Sequence, residues 1–240
     1  NAKGKYKKVI VDWGYNAWGE KYPPFDFDDV IPTLIGKSFS LPVFYPGIVM
    51  EGGSVEFNGA GTVLTSTCCL LNENRNPYLN QEQIENYLAE YYGIDQVLWV
   101  DEGIVGDDTD GHIDDTIRFI NEDTVLSVVE TKVNDENLLQ KNLKSLSKLR
   151  LLSGKQLNVI ELPMPDAVVY EDVRLPASYA NFYISNKHVI VPTYRCSKDD
   201  IALDIISQSF PSREVVGIDS TDIIWGLGSF HCLSQQEPKV

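Results

Sequence analysis

The chain has 240 residues, 43% of them hydrophobic, and its 35 acidic against 20 basic residues leave a formal net charge of -15. That length supports a sizeable core, while the charge argues against nucleic acid or an anionic membrane as partner and favours a cationic ligand. No apolar run approaches the ~20 residues that span a bilayer, and the start "NAKGKYKKVIVDWG" lacks a signal peptide's apolar centre, so a cytoplasmic protein is expected.

In chain order, "NAKGKYKKVIVDWG" reads as the turn and second strand of a hairpin whose first strand is absent. Three later stretches share an aromatic residue, a polar turn and a β-forming run: "FNGAGTVLTS", "FINEDTVLSV" and "YISNKHVIVP". Phe57 and Phe119 are 62 residues apart, and Phe119 and Tyr183 are 64 apart. After each hairpin comes a helical pattern and then a second apolar strand. In the first repeat Asn80 with Gln83 forms a capping-box signal, Ile84, Tyr87, Leu88 and Tyr91 recur at helical spacing, Gly93 ends the run and "QVLWV" follows. The second repeat carries Leu138, Leu139, Leu143, Leu146 and Leu149 on one stripe before "LNVIEL", and the third gives "KDDIALDIISQSF" and "REVVGI". The unit is therefore strand, strand, helix, strand, and units of this length packed about an axis predict an α/β propeller. The expected organisation is one domain over 1–240, with repeats at 1–48 (partial), 49–103, 104–170 and 171–224, and a closing strand at 225–240.

Acidic residues gather ahead of the repeat strands. Glu51 lies six residues before Phe57 and Asp114 five before Phe119, so repeat symmetry brings them to similar ends of neighbouring units. His112 and Asp114, two apart in an expected strand, would face one side. The segment "GDDTDGHIDD" does not fit an EF-hand, having Gly106 and Ile117 where ligands belong, and a count of three histidines argues against a multi-His metal site. The cysteines Cys68, Cys69, Cys196 and Cys232 show no CxxC spacing, so neither a zinc site nor a disulfide framework is suggested. Cys68 and Cys69 read as inert. Cys232, after the Gly-rich "GLGSFH" and before Ser234, Gln235 and Gln236, is the candidate thiol of the ring's centre, and His231, its neighbour in an expected strand, should face away.

"EGGSVEFNGAGTVLTSTCCLLNENRNP", "GDDTDGHIDDTIRFI" and "GLGSFHCLSQQEP" closely resemble the agmatine deiminase and bacterial peptidylarginine deiminase family, within the guanidino-group-modifying superfamily. "DWGYNAWG", "RLPASYANFYISNKHVIVP" and "FPSREVVGI" extend the resemblance, agmatine deiminases most closely, over essentially the whole chain. The resemblance implies an α/β fold, a five-bladed pentein-type propeller of ββαβ repeats, with the first repeat incomplete here. It implies Cys232 as nucleophile, His112 as general acid and base, Glu51 as the carboxylate paired with that histidine, and Asp114 as a substrate-binding carboxylate on the guanidinium. It implies hydrolytic deimination, agmatine being the first substrate and peptidylarginine or free arginine the alternatives, with no metal and no organic cofactor. A guanidino-binding propeller without turnover is the reading from a different class. The partner expected is a small cationic guanidino compound, and a homo-oligomer is compatible with the sequence. Two departures stand out. The family's further substrate-holding Asp belongs to an Arg-Asp motif upstream of "DWGYNAWG", before Asn1, and without it activity is expected to be weak or absent. "GLG" replaces a run of glycines, so Leu227 is expected to narrow the approach to the thiol.

Overall fold

The computed structural model describes residues 7–101, 103–130 and 138–238. Strand β1 (Ile10–Val11) leads through the short helices α1 (Ala17–Glu20) and α2 (Asp26–Asp29) and helix α3 (Ile31–Phe39) to strand β2 (Val43–Phe44), which pairs with β1 in parallel. Two parallel strands joined by a crossover that contains a helix follow the order seen in the second half of the later units, and residues 1–6 of the expected turn lie outside the described residues.

The three full repeats fold as expected. In the first, β3 (Val55–Phe57) and β4 (Thr62–Ser66) form an antiparallel hairpin, helix α4 (Thr67–Leu70) and helix α5 (Gln81–Tyr92) cross over, and β5 (Gln96–Val100) returns parallel to β4. Both hydrogen bonds of the Asn80–Gln83 capping box are present, and Gly93 ends α5 at φ 68°, where a residue with a Cβ would be strained. The second repeat has β6 (Ile117–Phe119), β7 (Thr124–Val129), helix α6 (Leu138–Leu146) and β8 (Asn158–Pro163), with the same antiparallel and parallel pairings. Of the leucine stripe, Leu139 and Leu146 are buried, while the side chain of Leu138 lies outside the described residues. A small hairpin, β9 (Val169–Tyr170) with β10 (Val173–Arg174), precedes the third repeat of β11 (Tyr183–Ile184), β12 (His188–Thr193), helix α7 (Asp199–Ser209) and β13 (Glu214–Asp219).

Alternation along the central strands explains why the units stack. Adjacent residues of a strand face opposite sides. In β4, Val63 enters the cluster with Ile84 and Leu88 of its own helix, whereas Leu64 enters the next cluster, with Ile117, Phe119 and Val125. One repeat on, Val125 stays in that second cluster and Leu126 enters the third, with Phe182, Val189 and Ile206. Each hairpin thus supplies apolar surface to two cores, and burying each such side chain contributes about 1.5–3 kcal/mol.

The end of the chain departs from expectation. A 3-10 turn (Ile223–Gly226) is followed by Leu227 at φ 65° and a turn through Leu233, with no strand among the described residues beyond 224. The reason is a competing set of partners: the backbone N–H groups of Ser229, His231 and Cys232 all point to one side-chain oxygen, Asn181 Oδ1, instead of a strand ladder. Leu227 packs against the third core cluster.

Candidate active site

Four segments deliver the site. Glu51 immediately precedes the 3-10 turn Gly52–Ser54 that leads into β3, and His112 caps a second 3-10 turn, Ile113–Asp115, that leads into β6. These are equivalent places in consecutive repeats. The third segment, 178–182, leads into β11 and supplies Asn181, and the fourth is the terminal turn with His231 and Cys232. His112 and Asp114 do not share a strand as predicted, yet the 3-10 turn still brings His112 Nδ1 and Asp114 Oδ1 to 4.0 Å.

Gly53 makes that approach possible. A Cβ there would lie 2.4 Å from His112 Nδ1 and 3.0 Å from Asp114 Oδ1. Gly228 does the same for the thiol, since its Cβ would stand 2.6 Å from Cys232 Cβ. The glycines around both catalytic candidates therefore leave room for the functional atoms to converge.

Asp114 is the hub. It is fully buried, and its Oδ2 accepts from Asn181 Nδ2 at 3.1 Å, from the Cys232 thiol at 3.3 Å and lies 2.7 Å from His231 Nδ1. Burial alone would raise this carboxyl, but the hydrogen bond and charge of His231, with the charges of His112 and Arg118, hold it below its ordinary value. Its neighbour Asp115 moves the opposite way, raised well above the usual range by burial and by the charge of Asp114. His231, expected to face away from the site, is thus a direct partner of Asp114. The strand alternation behind that expectation does not apply in a turn.

Glu51 is buried, and its Oε1 accepts from Arg75 Nε at 2.6 Å. Arg75 continues to Asp110 Oδ2 at 2.9 Å and to the Thr109 carbonyl at 2.9 Å, so the Glu51 side chain is fixed from behind. Glu51, His112 and Cys69 bring ligand-type atoms within 4.8 Å of one another, which places Glu51 beside the imidazole it was expected to pair with. Cys69 was read as inert; it is fully buried, and burial pushes its thiol well up. Asp114, Asp115 and Cys232 form a second such group. Either trio has donors that suit a divalent cation, but in the first the Arg75 guanidinium already occupies one Glu51 oxygen, and a second cation there would meet its charge. None of the four cysteines is in a disulfide.

Cys232 itself remains exposed. Packing around its sulfur, followed by the charges of Asp114 and Asp115, pushes the thiol up, while the Asn181 amide acts in the opposite direction. Three buried atoms around this centre have no hydrogen-bond partner among the described residues: Glu51 Oε2, His112 Nε2 and Asp114 Oδ1. Two shallow depressions elsewhere, one lined by Asp12, Trp13 and Tyr45, the other by Leu79, Gln83 and Tyr87, contain none of these groups.

The family model described as Porphyromonas-type peptidyl-arginine deiminase matches residues 3–238. The chain belongs to this family. A Legionella pneumophila (strain Paris) protein that carries a provisional agmatine deiminase name is 39% identical over 232 residues, covering 95% of this chain and 67% of its own length. Among solved structures, the agmatine deiminase of Enterococcus faecalis is similar at a TM-score of 0.89 with 34% identity, over 95% of this chain and 69% of that one. A Cys-to-Ser variant of C. jejuni agmatine deiminase with substrate bound is similar at 0.86 with 37% identity, over 93% and 66%. The chain thus spans about two thirds of these relatives, and it shares their mixed α/β fold. Among the described residues no helix is long and apolar enough to cross a membrane.

Proposed function

We propose that the protein hydrolyses a guanidino group, converting agmatine and water to N-carbamoylputrescine and ammonia through an amidino-cysteine intermediate. The observation that carries this reading is a set of three unpartnered buried atoms, two carboxylate oxygens and an imidazole nitrogen, on Glu51, His112 and Asp114, with Asp114 in contact with both the His112 ring and the Cys232 thiol. A buried acceptor left unpaired costs about 1–3 kcal/mol. A guanidinium is planar, cationic and rich in donors, so it answers acceptors of this kind.

In this reading Cys232 loses its proton to solvent as the cationic guanidinium binds, and the thiolate attacks the guanidinium carbon, forming a C–S bond and a tetrahedral adduct. Protonated His112 gives its proton to the departing nitrogen, and the C–N bond breaks as ammonia leaves. Neutral His112 then takes one proton from water as its oxygen attacks the amidino carbon, and the C–S bond breaks as the remaining hydroxyl proton passes to solvent, releasing the neutral ureido product and the thiolate. Glu51 stabilises the imidazolium, and Asp114 Oδ1 receives a guanidinium N–H. The similarity to two agmatine deiminases supports the small substrate. The peptidyl-arginine description of the family favours a second reading with the same chemistry on an arginine side chain. We also infer that the ββαβ units belong to a five-bladed propeller of pentein type, with the repeat boundaries given above.

Mass spectrometry of an acid-quenched reaction with agmatine tests the assignment. An amidino group on the Cys232 peptide is expected. Turnover with the adduct on Cys68 or Cys69, or with no adduct, would refute it, and turnover of a peptidylarginine substrate but not agmatine would select the second reading.

A further inference from the structure

We propose that Asn181 is a further catalytic residue, whose side-chain amide donates to the Cys232 sulfur and favours its ionisation to the thiolate beside Asp114. The inference rests on the reading of Cys232 as nucleophile given above.

Asn181 is 1% exposed, and its two ends make different sets of contacts. Its Oδ1 accepts from the backbone nitrogens of Ser229 at 3.1 Å, His231 at 3.2 Å and Cys232 at 3.2 Å, and its carbonyl accepts from His231 N at 3.1 Å. These bonds fix the turn that carries the thiol. Its Nδ2 lies 2.9 Å from Asp115 Oδ1, 3.1 Å from Asp114 Oδ2 and 3.0 Å from Cys232 Sγ. An amide nitrogen has two protons, so three acceptors share two donors. While Cys232 is a thiol, its own proton can face Asp114 Oδ2. Once it ionises, the sulfur becomes a charged acceptor and draws the amide proton more strongly.

The residue type is informative. An Asp at this position would cap the same backbone groups equally well, but it would set a third carboxylate against Asp114 and Asp115 and offer the sulfur no donor. A Ser would be too short to reach both the turn and the sulfur. Asn joins an acceptor toward the turn to a donor toward the reacting atom without adding charge. Around a thiol whose other close partners include a carboxylate, a neutral donor favours the thiolate.

The test is the pH dependence of Cys232 alkylation by iodoacetamide, located by peptide mass spectrometry, in wild type and Asn181→Ser. In the folded variant the alkylation midpoint is expected to rise by about one pH unit, the shift that loss of a hydrogen bond of roughly 1.4 kcal/mol would give. Turnover is expected to fall by about 100-fold. An unchanged midpoint, whatever the turnover, would overturn the proposal and leave Asn181 a loop cap. Alkylation needs no turnover, so the result is independent of the substrate; failure of the functional reading would show separately, as turnover retained in Cys232→Ala. Should Asn181→Ser not fold, the Asn181 Nδ2 proton resonances in wild type and Cys232→Ser decide the matter. They are expected to shift with thiol ionisation in wild type only, and resonances indifferent to that ionisation would overturn the proposal.

Discussion

Glu56 and Arg118 occupy equivalent positions, 62 residues apart, in consecutive repeats, and they meet as a buried ion pair with Arg118 Nε 3.0 Å from Glu56 Oε2. The pair is completed on both sides. Glu56 Oε1 accepts from Phe119 N at 2.9 Å, while Arg118 Nη1 donates to the carbonyls of Ala180 at 2.8 Å and Phe182 at 2.6 Å, the latter at the equivalent position of the third repeat. One guanidinium therefore ties three units together, and its charge also acts on Asp114 and Asp115. Arg118→Ala would leave the Glu56 carboxylate buried without its counter-ion, and a loss of about 3–5 kcal/mol is expected in urea unfolding. A loss below 1 kcal/mol would show that the pair does not couple the repeats.

Gly53 offers a way to disturb chemistry with little effect on the fold. In Gly53→Ala the new Cβ would stand 2.4 Å from His112 Nδ1, so the imidazole must shift. Displacement of a reacting group by about 1 Å can cost on the order of 100-fold in rate. We expect a loss of that size in kcat, with the far-UV circular dichroism spectrum unchanged and the melting temperature within a few degrees of wild type. Wild-type turnover in this variant would remove His112 from the chemistry.

How far the sequence reveals this arrangement depends on where the bonds are made. The hairpins and crossover helices are legible because their periodicity and caps are local: Asn80 meets Gln83 three residues away, and β4 alternates between two cores. The meeting of Glu51, His112 and Asp114 follows from repeat symmetry, even though the local element is a 3-10 turn instead of a strand. The terminal turn is not legible, because its backbone partners sit on Asn181, some 50 residues earlier. That error also misplaced His231. Arg75 carries no spacing signal toward Glu51. For Asn181 a signal exists: two residues before the repeat aromatic, it stands where the other repeats have Val55 and Ile117, and a polar residue at a buried apolar position calls for a polar partner.

His231 should matter to stability in a pH-dependent way. Its bond holds the buried Asp114 carboxyl below its ordinary value, so that contribution is present above the unfolded Asp value of about 3.9 and is lost as pH falls through the lower folded value. His231→Ala is therefore expected to lose about 1.5–3 kcal/mol at pH 7. The gap to wild type should narrow as the pH is lowered below about 4. A gap independent of pH in guanidinium titrations would mean that packing, and not the carboxylate, is what His231 supports.

Chelation gives a further check. The Arg75 guanidinium bound to Glu51 Oε1 opposes a divalent cation in the Glu51, Cys69 and His112 group, and the proposed chemistry is complete with Cys232 and His112. Incubation with excess EDTA followed by desalting is expected to leave ammonia release unchanged. Loss of activity, restored by a divalent ion, would show that a metal participates.

Asp115 supplies the opposite pH dependence to Asp114. Burial and the charge of Asp114 raise its carboxyl well above the ordinary range, so the folded protein binds a proton there more tightly than the unfolded chain. Its contribution to stability is then fully present below the unfolded value of about 3.9 and declines as pH rises toward the folded value. Asp115→Asn removes the titrating group while preserving an acceptor for Asn181 Nδ2, which reaches Asp115 Oδ1 at 2.9 Å. The variant should match wild type at a pH well below about 3.9, where Asp115 is neutral in both the folded and the unfolded chain, and melt at a higher temperature than wild type at pH 7 and above. Because only the Asp114 carboxylate would then oppose ionisation of Cys232 at close range, the alkylation midpoint of the thiol should also fall. A melting temperature below wild type across the whole range would show that Asp115 is ionised and stabilising in the folded state, reversing the order assigned to the two carboxyls.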